Sequence, residues 1–195
     1  MKHKIFKFVL LVLSLTLSAC ASNPSGKPGY YFSLAYQGDS SLVAEPRFPF
    51  IKIDLPNFSS KHNTEAIVYT RREHELDRYS QSEWKEPLPA LLQEWLLQSL
   101  EHSNLFAGVM RGTSRAKVPL FMESDIIKFQ HNVTRQVVEL SLRLTLLDYK
   151  SRKILKHKIF NYHYKVSDAS AKGAVYSFNQ ALKELDRDIY QWLSS

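Results

Sequence analysis

A single cysteine, Cys20, is the only thiol in these 195 residues, so no internal disulfide can staple the fold and no Cys–His nucleophile or thiolate metal cage is available. The six glycines form neither a phosphate-cradling loop nor a dinucleotide fingerprint. No G-x-S-x-G elbow presents a serine nucleophile. Histidines are present but scattered. His74-Glu75-Leu76 lacks the second histidine, one turn on, that a zinc-protease helix needs. His157 and His163 would share a strand face about 20 Å apart, too far for one ion. Asp186 and Asp188 lie two apart in a helical segment and face different ways. The longest apolar run, Phe8–Leu17, rises only about 15 Å as a helix, half a bilayer core. There is no internal repeat. These gaps predict no enzyme, no catalytic residue, no bound metal and no cofactor.

What is present begins with "MKHKIFKFVLLVLSLTLSAC". Lys2, Lys4 and Lys7 precede the short apolar core, the layout of an export signal over residues 1–19. Leu17-Ser18-Ala19-Cys20 matches the bacterial lipobox, which implies cleavage before Cys20 and acylation of its thiol and amine. Each buried methylene contributes about 0.8 kcal/mol, so several acyl chains anchor far more firmly than one. Ala21, rather than aspartate, follows the cysteine, a pattern that points to the outer membrane. Without residues 1–19 the chain keeps 23 basic and 19 acidic side chains, about +4. That modest charge suits an anionic membrane surface but does not by itself imply nucleic acid. Residues 20–29, the lipidated cysteine and "ASNPSGKPG", read as a flexible tether reaching at most about 30 Å.

Residues 30–195 have the length of one domain. "YYFSLAY" (30–36), "FPFIKIDL" (48–55) and "EAIVYTR" (65–71) read as strands. Over 88–102, Leu88, Leu91, Leu92, Trp95, Leu96 and Leu100 share a helical face, with Pro87 or Pro89 in the first turn. Residues 119–130 join the sheet. Val138, Leu140, Leu142, Leu144 and Leu146 alternate with Glu139, Ser141, Arg143 and Thr145, the clearest strand in the chain. "DYKSRK" turns, and 154–166 return with Phe160, Tyr162, Tyr164 and Val166 inward. A final helix over 170–193 carries the stripe Ala174, Val175, Phe178, Ala181, Leu182, Leu185, Ile189 and Trp192. The expected fold is α+β, a mixed, largely antiparallel sheet with two main helices packed on it.

Residues 67–87, "IVYTRREHELDRYSQSEWKEP", hold five acidic and four basic groups beside two tyrosines and a tryptophan. Their balance is slightly acidic, which excludes the electropositive footprint of nucleic-acid binding. Glu73, His74, Glu75 and Asp77 have no partner at a catalytic spacing. The stretch reads as a strand end leading into a solvated, irregular or helical connection.

The order of these segments resembles the ABC-type transport auxiliary lipoprotein family. The residues that carry the likeness are Ile67, Val68, Tyr69, Arg71, Tyr79, Trp84, Pro87 and Phe106. The hairpin "LSLRLTLLDYKSRKIL" adds Asp148 at its turn. Thr70 and Pro89 depart from the pattern. The resemblance implies a non-enzymatic accessory of an MCE-domain lipid transport system, lipid-anchored through Cys20 and facing the periplasm from the outer membrane. Its partners would be an MCE-domain protein and outer-membrane lipid, with homo-oligomerisation suited to a symmetric tube. Tyr69, Arg71, Arg72, Tyr79 and Trp84 are the candidate partner-binding residues, since Tyr, Trp and Arg are enriched in interface hot spots. The alternative is a carrier lipoprotein that encloses an acyl chain along the apolar face from Val138 to Leu146.

Overall fold

A computed structural model describes residues 29–38, 43–58 and 65–195. The leader, Cys20 and the tether up to residue 28 lie outside the described residues. Nine strands form one mixed sheet: β1 Tyr30–Phe32, β2 Ile51–Ile53, β3 Asn57–Phe58, β4 Ala66–Thr70, β5 Asp77–Trp84, β6 Val109–Arg111, β7 Leu120–Asn132, β8 Val137–Asp148 and β9 Ile154–Lys165. Among the described residues there are two helices, α1 Leu88–Ser103 and α2 Ala171–Ser194.

The 13-residue β7 is the spine. Along one edge it pairs antiparallel with β8 for its whole length, from Leu120↔Asp148 to Asn132↔Val137. Along the other edge it receives three short parallel strands in succession. β2 pairs at Leu120–Met122, β3 at Asp125–Ile126 and β4 at His131–Asn132. Beyond them lie β6 beside β2, and β5 and then β1 beside β4. β9 pairs with β8 and, among the described residues, with no other strand. The long meander is antiparallel and most of the short additions are parallel.

The helices cover one face. α1 starts without a side-chain cap: Pro87 occupies the cap position and Pro89 follows in the first turn, where a missing N–H breaks no intrahelical bond. It ends at Asn104 in the left-handed region (φ 54°), whose Nδ2 donates to the Val43 carbonyl at 2.8 Å. α2 is capped by Ser170, which accepts from the Gly173 amide at 3.0 Å. Gly173 is needed there: a Cβ would meet the Asp168 carbonyl oxygen at 2.5 Å. Between the helices, Ser99 donates to buried Asp186. On the far side of α2, Tyr162 donates to Asp188, so the two aspartates do face different ways. Trp192, placed in the α2 stripe by its spacing, is only half-buried, and Leu193 takes the core position.

Val138, Leu140, Leu142, Leu144 and Leu146 of β8 are at most 2% exposed and pack beneath the helices with Met122, Phe129, Phe178 and Leu182. Its polar face is also largely covered, with Glu139 and Ser141 buried, because β7 and β9 flank it on both sides. The main correction falls on residues 72–87. The connection expected there is largely β5, which pairs antiparallel with β4 and parallel with β1. In its outer half Asp77, Arg78 and Ser80 are exposed and Tyr79 alone is half-buried, so hydrophobic alternation never marked it.

Candidate docking surface

The residues that ended the "IVYTR" run meet at one end of the sheet, where the β4–β5 turn lies beside the β7–β8 turn. Backbone and hydroxyl groups lock the two turns together. Val133 N–H donates to the Thr70 carbonyl at 2.9 Å, and Thr134 Oγ1 donates to the Arg71 carbonyl at 2.7 Å. Thr70 Oγ1 donates to the Arg72 carbonyl. This fixes Arg71 and Arg72 as an exposed ridge. On one side of the ridge is an open cleft of about 620 Å³, walled by Lys128, Asn132, Arg135 and Glu139. On the other is a depression of about 470 Å³ bounded by Tyr69, Leu76 and Asp77.

Beneath the ridge the aromatics stack. The Arg71 guanidinium sits 4.9 Å from the Tyr69 ring centre, and Tyr69 lies 4.9 Å from Tyr79. Tyr79 stacks on His131 at 17° and shares a 2.7 Å hydrogen bond with its Nδ1. Tyr69 donates to Asp77 at 2.8 Å. That bond and burial push the Tyr69 hydroxyl up. The Arg78 backbone N–H and the Tyr69 hydroxyl hold Asp77 down. Burial pushes Tyr79 up to about 12, with Tyr69 and Asp168 adding to it. Burial also lowers His131, against the pull of Asp168. The tyrosines keep their protons and the histidine stays neutral, so the cluster braces the ridge and offers no group poised to exchange protons near neutrality.

Glu139 closes the cleft floor. It accepts from Gln130 at 2.9 Å, Asn132 at 3.3 Å, Arg135 at 3.2 Å and Lys128 at 3.5 Å. Burial alone would raise its carboxyl. The Lys128 charge and the donated hydrogen bonds outweigh burial and hold it below the usual range. Such a saturated carboxylate organises the cleft.

Of the five candidates, Tyr69, Arg71 and Tyr79 form one stack and Arg72 adjoins it, with the two arginines presenting the surface. Trp84 is corrected. It is 1% exposed and packs 6.0 Å from Phe129 and 6.1 Å from Phe178, because its place at the inner end of β5 points it under the helices. The pattern missed His131 and Glu139. His131 joins from a strand more than fifty residues away, and Glu139 shows in the sequence only as a polar member of the alternation in 138–146.

Under the sheet, the seam between Leu92, Ile126, Phe129, Leu140 and Leu142 has no room for even a water molecule. Among the described residues, no three His, Cys, Asp or Glu side chains converge as metal ligands. No helix there is long and apolar enough to cross a membrane.

A family model described as "ABC-type transport auxiliary lipoprotein component" matches residues 30–190. No curated protein matches the chain. The crystal structure of a Xanthomonas campestris protein of the DUF330 family is similar, with a TM-score of 0.72 and 17% identity, covering 84% of this chain and 93% of that one. A second crystal structure, of an uncharacterized protein, has a TM-score of 0.68 and 13% identity over 86% of this chain and 99% of that one. At these identities the likenesses speak for the fold alone.

Proposed function

Since the chain belongs to the ABC-type transport auxiliary lipoprotein family, we propose that it is the non-enzymatic accessory of an MCE-containing envelope lipid transport system. Acyl chains on Cys20 hold the single domain, residues 30–195, at the periplasmic face of the outer membrane. The tether keeps the domain at a high effective concentration beside its partner. The partner is the MCE-domain protein at the tip of the transport tunnel, and self-association of the domain would present several copies to a symmetric tube.

One observation carries the reading. The face that a lipid carrier would open, Val138 to Leu146, is shut by both helices, whereas the Arg71–Arg72 ridge stands exposed between two depressions. A domain with a packed interior and a braced, charged ridge is built to be held by another protein. The ridge arginines are the contact residues, with Tyr69 and Tyr79 as their support.

The test uses the full chain in its native envelope. Arg71→Glu with Arg72→Glu should leave the fold and the membrane fraction unchanged and reduce co-purification of the MCE protein about tenfold or more. Cys20→Ala should release the chain into the soluble periplasm. Native mass spectrometry of the intact lipoprotein after mild purification should show no additional phospholipid held by the domain. A bound phospholipid at one per chain would overturn the docking reading in favour of the carrier.

A further inference from the structure

The meander ends in a hairpin whose returning strand is unlike the rest of the sheet. From residue 149 to 165 there are six Lys and Arg residues and no Asp or Glu. The turn carries Lys150, Arg152 and Lys153, with Arg152 placed 5.2 Å from the exposed Tyr149 ring. Beside it, Lys52, Arg115 and Lys117 surround a depression of about 130 Å³ walled by Tyr149 and Phe121, two rings stacked at 5.6 Å. None of these six cations has an ion-pair partner among the described residues. Against them stand Asp54, Glu123 and Asp148, the last accepting twice from Ser151 and held down in smaller part by the Lys150 charge. Ile154, Leu155 and Ile159 are exposed along the same strand.

Two features say what covers this pole. First, β9 is 12 residues long, and no strand among the described residues takes its second edge. Main-chain groups on such an edge pair with an added strand, which a lipid headgroup cannot supply. Lysines on the edge also bar a second copy, since β9 against β9 would oppose like charges, while an acidic strand would be welcomed. Second, the chain enters at the opposite end. Tyr30 pairs with Ser82, and Gly29 N–H donates to the Gln81 carbonyl on the incoming side. Strand registers place that level near Phe129 of β7, nine residues from Leu120 beside the β8–β9 turn. At about 3.3 Å per residue the basic pole lies roughly 30 Å or more further along, about the full reach of the tether.

We propose that the free edge of β9 and its basic turn receive an extended acidic segment of a partner protein. The segment adds as a strand beside Ile154–Tyr164, short of the Lys165 carbonyl that already accepts from Ser177, and seats carboxylates on Lys150, Arg152 and Lys153 of the turn. This rests on the anchored-accessory reading above, because that reading turns this pole away from the membrane and towards whatever approaches from the inner side. It is a second contact, separate from the Arg71–Arg72 ridge.

The probes are a labelled 12-residue peptide alternating glutamate with valine, the same peptide with lysine for glutamate, and phosphatidylglycerol vesicles, each mixed with the purified full chain. The acidic peptide should bind in a salt-sensitive manner and slow amide hydrogen exchange across 154–165, and the lysine peptide should not. Lys150→Glu, Arg152→Glu and Lys153→Glu together should weaken binding by about tenfold or more. Arg71→Glu with Arg72→Glu should leave peptide binding intact, so loss of the MCE contact in that variant and loss of the peptide contact are separate results. Absence of protection in 154–165 overturns the proposal. So does vesicle binding that needs the three cations while the peptide does not bind, which would make the pole a membrane contact.

Discussion

Replacing Trp84 by alanine distinguishes a core tryptophan from a docking one. The side chain is 1% exposed and wedged between Phe129 and Phe178. Burying roughly 200 Å² of indole at about 25 cal/mol/Å² stabilises by about 5 kcal/mol. Measured Trp→Ala changes in cores fall at about 3–5 kcal/mol, because the cavity relaxes only in part. With a urea slope of about 2 kcal/mol/M for a domain of this size, the midpoint should drop by roughly 1.5–2.5 M. Far-ultraviolet circular dichroism is the suitable readout, since the substitution removes a fluorophore. Trp84→Phe should recover most of the loss and leave capture of the proposed MCE partner at the level of the unaltered chain. A midpoint shift under about 0.5 M, together with lost partner capture, would mean that Trp84 faces outward and would refute the packing derived from β5.

Three further outcomes follow from the same geometry. Glu139 has a depressed carboxyl, so its contribution is present above the unfolded carboxylate range and is lost as pH falls through the lower folded value. Glu139→Gln should therefore cost about 1–3 kcal/mol at neutral pH and flatten the acid limb of a stability–pH profile. His131 is also depressed, by burial, so protonating the unfolded chain destabilises the fold as pH drops below about 6.5. His131→Asn should remove that slope between about pH 7 and 5, measured by urea titration at each pH. Ser99→Ala should lower stability by about 1–3 kcal/mol in the same titration, since it strips a buried donor from Asp186.

The helices and the meander were legible because each presents one apolar face at a fixed period, and α1, β8 and α2 appear within a residue or two of their expected limits. β5 was not legible, since "DRYSQSEW" fully buries only Ser82 and Trp84 near its end, and its other side-chain partners, Tyr69 and His131, come from other strands. β3 and β6 are too short to carry a period, and they exist because distant β7 and β2 offer edges. The ridge was half legible. Composition named Tyr69, Arg71 and Arg72, but only long-range pairing of β4 with β7 brings His131 under Tyr79. A linear pattern reports which residue types are near in sequence and is silent on which remote strand supplies their floor.

The spine arrangement of β7 also has a consequence in time. β2, β3 and β4 touch β7 at separate places along its length, and all three precede it in the chain, so none has its edge when it is first synthesised. The β7–β8–β9 hairpins close through short loops and should form early, whereas the first strands wait for a template some seventy residues downstream. A chain cut before Leu120 lacks this template and should leave β2 and β3 without their edge on β7. Until the later half arrives, the early half is exposed to aggregation and to the chaperones that guard against it.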